Sequence, residues 1–281
     1  MKTVSIHTKD HYEIIATVFE PNTDAGKLLL VNSATGVRQQ TYYGFAKFFA
    51  ENGYTVITYD YRGISLSKPQ KMKGFEANMR IWGNTDYKAI TEYINQNYSQ
   101  HRKFLIGHSV GALILGMNED SEIFEKFSFV ATQNTYYGHL RPSVQLMSWL
   151  GFGLYQPMIT RLKGYFETDL VNLGESLPKG VSEDWRTLIM HKKSINKLLE
   201  QTPNFSENLT QEVLYLHMED DDWITKTGME LLMKETFPKM KPTYRTVKVS
   251  ESTGEAIGHI NFFRSRHQQL WNIVLDWFSY I

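Results

Sequence analysis

Cysteine is absent from the sequence. Disulfides, thiolate catalysis and cysteine metal sites are therefore excluded, and a reducing compartment is compatible with the chain. Net charge is absent as well: 30 basic residues balance 30 acidic ones, with a pI near 7.1. No run of one sign stands out, so neither nucleic acid nor an anionic membrane surface is suggested as a partner. The H-E-x-x-H spacing and paired His/Cys spacings are missing, so no metal is expected. Gly151 and Gly153 are not followed by G-x-x-x-x-G-K, so they form no phosphate loop. Met1 to His7 has no apolar core of signal-peptide length, and a cytoplasmic protein is expected.

What remains is a chain of 281 residues, 42% hydrophobic and 21% charged, long enough to bury a large core. Its organising stretch is Phe104-Leu105-Ile106-Gly107-His108-Ser109-Val110-Gly111-Ala112-Leu113-Ile114-Leu115. A short apolar run leads into Gly-His-Ser-Val-Gly, and a second apolar run of helical character follows. This is the G-x-S-x-G pattern in the strand-to-helix context that a nucleophile elbow needs. The tight reversal places Ser109 in a strained backbone conformation, and glycines 107 and 111 let strand and helix approach.

The rest of the chain alternates strand and helix. A hairpin is predicted at 3–8 and 12–19, with strands at 27–32, 54–59, 127–133, 212–217 and 243–250. Helices are predicted at 41–52, 83–98, 225–236 and 264–280. This alternation implies an α/β architecture: a mostly parallel sheet of about eight strands, covered by helices on both faces. Ligands of such sheets bind at the carboxyl ends of the strands. Residues 134–212 break the pattern, with no clear strand and many aromatic residues. They are expected to form a helical cap over a core made of residues 1–133 and 213–281.

A serine nucleophile needs a base, and the base needs an orienting carboxylate. Past the strand ending at His217 comes Glu219-Asp220-Asp221-Asp222, and after the last strand comes Gly258-His259-Ile260-Asn261. The candidates are Ser109 as nucleophile, His259 as base and Asp221 as acid, with Asp220 as the rival acid. The candidate oxyanion donors are the N–H of Val110 and that of Ala34, with Thr35 as the rival of Ala34. Asp60 and Arg62 read as a structural turn.

With these residues in place the chain resembles the α/β-hydrolase superfamily along nearly its full length. It is similar to a branch of predicted serine hydrolases related to serine aminopeptidase-like and lysophospholipase-like members. The resemblance is carried by Asn32-Ser33-Ala34-Thr35-Gly36-Val37 and by Tyr59-Asp60-Tyr61-Arg62-Gly63-Ile64. It is carried also by Gly164-Tyr165-Phe166 with Leu177-Pro178-Lys179-Gly180-Val181 and Trp185, and by Ile257 through Arg264. It implies the α/β-hydrolase fold and the Ser109, His259, Asp221 triad. The chain departs from many relatives at Asn32-Ser33, where they carry His-Gly, and at Met218, where they carry Gly.

From Pro142 to Thr160 the chain has no charged residue. The length approaches a membrane span of ~20 residues, but its prolines, glycines and glutamines argue against spanning, so no stable membrane insertion is expected. Trp149, Tyr155, Tyr165 and Trp185 are candidate pocket liners. The sequence thus points to a serine hydrolase of carboxylic esters with apolar acyl or aryl groups, needing no cofactor. Amide cleavage, acyl transfer and a ligand-binding module with a vestigial triad are the alternatives. The sequence does not give the oligomeric state.

Overall fold

A computed structural model describes residues 1–168 and 174–279. Its strands are β1 (Lys2–His7), β2 (Glu13–Phe19), β3 (Lys27–Asn32), β4 (Tyr54–Tyr59), β5 (Arg102–His108), β6 (Lys126–Val130), β7 (Tyr165–Phe166), β8 (Leu177–Pro178), β9 (Glu212–Met218) and β10 (Lys241–Val247). Eight of them form one sheet in the order β1-β2-β4-β3-β5-β6-β9-β10. The β1–β2 and β2–β4 pairs are antiparallel, and all other pairs of this sheet are parallel. The α/β class and the eight-stranded, mostly parallel sheet agree with the expectation. The reason is visible in the strands: Leu28-Leu29-Leu30-Val31, all of β4 and Phe104-Leu105-Ile106 are buried residue after residue. Such runs need apolar cover on both faces, which crossover helices supply.

The helices are α1 (Tyr43–Glu51), α2 (Met79–Ile81), α3 (Lys88–Asn97), α4 (Val110–Leu113), α5 (Pro142–Ser148), α6 (Gln156–Lys163), α7 (Lys179–Met190), α8 (Ile195–Leu199), α9 (Lys226–Glu235) and α10 (Asn272–Ser279). A π-helical turn, Trp82–Tyr87, joins α2 to α3, and another, Trp149–Tyr155, joins α5 to α6. Aromatic edge-to-face contacts weld α1 to the C-terminal segment. Trp271 meets Phe45 and Phe48, each with ring centroids 5.5 Å apart, and Phe263 meets Phe45 at 5.3 Å.

Several boundaries differ from the sequence reading. β6 stops at Val130, three residues short of the expected 133, because Ala131 turns the chain with φ +50°. The last helix starts as 3₁₀ turns over Ser265–Trp271 and becomes α-helical only from Asn272. Residue 280 of that expected helix lies outside the described residues. In the segment between β6 and β9, where no strand was expected, the two-residue strands β7 and β8 pair antiparallel. Residues 169–173 of this segment lie outside the described residues.

Asp60 and Arg62 act as ties. Asp60 accepts the backbone and side-chain N–H groups of Gln39, both at 2.8 Å, and the Leu66 N–H at 3.2 Å. Arg62 spans buried Asp86 at 2.7 Å and Asp10 at 2.6 Å.

The tightest passage is at the end of β5. A Cβ on Gly111 would lie 2.3 Å from the Asn32 carbonyl oxygen, and one on Gly107 2.7 Å from the Ala112 backbone. Asn32 adds a side-chain bond to the Gly111 carbonyl at 3.1 Å, and its own carbonyl oxygen Oδ1 accepts Tyr59 Oη–H at 2.9 Å. Gly111→Ala will therefore lower unfolding stability by at least about 1–3 kcal/mol in urea titration, as overpacked sites do. Gly151→Ala, where the new methyl meets nothing within 4 Å beyond its chain neighbours and its own helix backbone, will stay within about 0.5 kcal/mol of the parent.

Candidate active site

The sequence around Ser109 folds as a turn because β5 ends where α4 must begin. Ser109 takes φ +52° and ψ −117°, a conformation that side-chain-bearing residues rarely hold. Three bonds enforce it. The Ser109 N–H donates to the Val130 carbonyl at 2.9 Å, and its carbonyl accepts Thr132 Oγ1–H at 2.9 Å and the Ala112 N–H at 3.1 Å. Neighbouring strand and helix thus hold the strain in place.

The acidic quartet after β9 divides its labour. Asp221 is 4% exposed; its Oδ2 lies 2.8 Å from His259 Nδ1, and its Oδ1 accepts the Trp223 N–H at 3.0 Å. Burial pushes the Asp221 carboxyl up, but the hydrogen bond and charge of His259, with the Trp223 N–H, outweigh it, so the group sits below its ordinary pKa. Asp220 turns to the loop before the histidine and accepts the N–H groups of Ile257 at 2.8 Å and Gly258 at 2.9 Å. Asp222 is exposed and pairs with Arg141 at 2.5 Å. Glu219 accepts the Val249 N–H at 2.6 Å. Of the two rival acids, the histidine ring meets Asp221, while Asp220 bonds the backbone that carries it.

Ser109 and His259 line one cavity of about 280 Å³ together with Ala34, Thr35, Val37, Ala131 and Gln133. The segment between β6 and β9 adds Thr135, Leu140, Phe152, Trp185 and Ile189, and the loops after β9 and β10 add Trp223, Ile224 and Ile260. Of the four candidate liners, Trp185 lies in the wall of this cavity. The other three expected liners do not. Trp149 is 43% exposed. Tyr155 lines a separate shallow groove with Leu146, Met147 and Leu150, and packs on Phe166. Tyr165 sits half-buried in β7 and is not part of the wall. The π-helical turn is the cause. It carries Phe152 inward, where the ring meets Trp185 edge-on at 5.0 Å, and leaves Trp149 outward. An uncharged stretch gives no polar face from which that choice could be read.

The loop after β3 treats its two candidate donors, Ala34 and Thr35, differently. The Ala34 N–H donates to the buried Tyr42 Oη at 3.0 Å and so is already committed. The Thr35 and Val110 N–H groups have no hydrogen-bond partner among the described residues, and both residues lie at the serine, Thr35 in the cavity wall and Val110 next in the chain. Tyr42 itself escaped the sequence reading, since its hydroxyl reaches the loop from the N-terminal end of α1. Among the described residues no His/Cys/Asp/Glu cluster suits a metal, and no helix is long and apolar enough to cross a membrane.

His108, the residue between Gly107 and Ser109, is fully buried, and its pKa falls from 6.5 to about 3. Burial is the main cause, with the neighbouring His259 adding to it. Between those values the unfolded chain binds a proton that the native chain refuses. The associated stability is complete above pH 6.5 and is lost as pH falls towards 3. Unfolding midpoints from pH 7 down to 4 will fall more steeply for the parent than for His108→Gln; parallel curves would contradict the assignment.

Comparison with known proteins bears on the fold that carries this site. Residues 26–118, which span β3 to the helix after Ser109, match the family described as serine aminopeptidase, S33. No curated protein matches the chain in sequence. Among solved structures the chain is similar to an esterase of Pyrococcus furiosus at TM-score 0.62 and 14% identity, covering 99% of this chain and 90% of that one. It is similar also to an α/β hydrolase of a Penicillium species, at 0.60 and 17%, covering 98% of this chain and 96% of that one. A bromoperoxidase of Bacillus anthracis follows at 0.59 and 17%, covering 99% of this chain and 100% of that one. At these identities the likeness establishes the shared fold.

Proposed function

We propose that the chain, which shares the fold of solved α/β hydrolases, is a serine hydrolase of carboxylic esters with apolar acyl or aryl groups. The observation that carries this reading is the joining of Ser109 and His259 in one cavity with the 2.8 Å bond from His259 to Asp221. Ser109 Oγ attacks the ester carbonyl while His259 Nε2 takes its proton. Asp221 holds Nδ1–H and stabilises the imidazolium. The tetrahedral oxyanion is received by the N–H groups of Val110 and Thr35, and each such donor is worth about 3–4 kcal/mol in the transition state. His259 then protonates the leaving alcohol, and water releases the acyl group from Ser109 by the same route.

The wall of the cavity supports an uncharged acyl group. Apart from His259 it has no acidic or basic side chain among the described residues. Gln133 is already engaged with the Trp223 carbonyl and the Thr225 N–H, and Thr135 Oγ1 with the Leu188 carbonyl. A substrate ammonium, as an aminopeptidase would require, finds no carboxylate there. The segment from 134 to 212 serves as the cap, and its residues Leu140, Phe152, Trp185 and Ile189 close over the acyl group. At about 280 Å³ the cavity is at the small end of ligand pockets, which start near ~300 Å³.

In an aryl-ester assay Ser109→Ala will lose nearly all turnover while its unfolding curve stays in place. Asp221→Asn will lose about 10³–10⁴-fold in kcat, and Asp222→Asn less than about twofold. Retained turnover in Ser109→Ala would sink the mechanism. Across a series of acyl lengths, short and medium chains will be preferred, and Phe152→Ala will move the optimum to longer chains. Faster cleavage of aminoacyl anilides than of esters would favour the peptidase reading instead.

A further inference from the structure

We propose that Tyr42 and His108 are positioning residues, which set the catalytic histidine and the oxyanion loop against each other through one buried, directional chain of hydrogen bonds. The proposal rests on the reading of Ser109 and His259 as the reacting pair.

The direction of the chain follows from its ends. The His259 carbonyl can only accept, so the His108 Nε2 at 2.8 Å carries a proton and donates it. His108 is neutral over the working pH range, because burial holds its pKa near 3, and its Nδ1 is then an acceptor. Tyr42 Oη lies 2.8 Å from that nitrogen and donates to it. The Tyr42 oxygen in turn accepts the Ala34 N–H at 3.0 Å. The Tyr42 phenol stays protonated, since burial raises its pKa far above the ordinary value. Each group has one role, and the tautomer at one end dictates the hydroxyl orientation at the other.

The chain joins two loops and a strand end at the carboxyl ends of the sheet. Ala34 follows β3, His108 immediately precedes the nucleophile, and His259 lies in the loop that follows β10. Tyr42 and His108 are both 0% exposed, so water cannot replace a lost partner. Breaking one link leaves a buried polar atom unpaired, at a cost of about 1–3 kcal/mol, or obliges a loop to move. Phe263 packs against both rings, 4.7 Å from Tyr42 and 5.0 Å from His108, and limits their rotation. His259 is thus held twice: Asp221 fixes its ring, and His108 fixes its backbone. The chain touches no reacting atom, yet it reaches the backbone under both the base and the oxyanion donors.

Peptide-resolved hydrogen–deuterium exchange and aryl-ester kinetics on the full chain test this together. Tyr42→Phe removes one oxygen and keeps the ring. It should speed exchange in residues 33–37 and, through the released His108, in residues 257–261, which Tyr42 does not bond. Its kcat should fall about 10- to 100-fold with KM changed less than about twofold, as expected for misplaced catalytic groups. His108→Gln keeps an N–H for the His259 carbonyl and should protect 257–261 better, with higher kcat, than His108→Leu. Exchange that rises only in 33–37 of Tyr42→Phe, with kcat unchanged, would overturn the proposal, as would equal behaviour of the two His108 variants. A parent protein that cleaves no ester would defeat the functional reading alone, because the exchange coupling still decides the chain. If Tyr42→Phe fails to fold, the comparison at His108 decides it.

Discussion

How closely one backbone can pass another at the end of β5 decides everything else in this molecule. Gly111 leaves no room for a Cβ against the Asn32 carbonyl, and Gly107 leaves none against Ala112. That contact lets α4 start one residue after the strand, and the strained Ser109 is its consequence. Because β3 and β5 are adjacent and parallel, the same contact brings the loop after β3 to Ser109. The loop after β3 and the turn at Ser109 are therefore one packing unit. Asn32, where many relatives of the superfamily resembled by the sequence carry His, bonds the Gly111 carbonyl and accepts the Tyr59 hydroxyl from β4.

A second constraint is polar satisfaction around the histidine. Four acidic side chains in a row after β9 would repel one another if they shared one environment. They separate instead, to a ring nitrogen, to two loop N–H groups, to an exposed arginine and to the backbone beyond β10. Only Asp221 is buried, and it keeps its charge because every oxygen has a donor. In this way a cavity wall whose one acidic or basic side chain among the described residues is His259 is surrounded by committed polar groups.

Much of this was legible in the chain. Runs such as Leu28 to Val31 and Phe104 to Ile106 show doubly covered strands without ambiguity. The serine pattern lies between two apolar runs, and the register of Asp221 follows from where the β9 run ends. Side-chain hydroxyls acting at a distance were not legible. Nothing in Ala34 signals that Tyr42 will take its N–H, so the choice between Ala34 and Thr35 as donor turns on a contact that only folding creates. The pocket wall was equally hidden. Helical bookkeeping assumes i→i+4 bonding, whereas Trp149–Tyr155 is π-helical, which changes which residues share a face. Phe152 therefore faces the cavity, while the larger Trp149 is exposed.

The central claim is that Ser109 is an activated nucleophile, and covalent labelling tests it most directly. A fluorophosphonate probe, read by intact mass and peptide mapping, should add once to the folded protein, at Ser109, and not at all after heat denaturation. Folded protein that takes no label, or takes it at another residue, would contradict the account and move a non-catalytic binding role ahead of it.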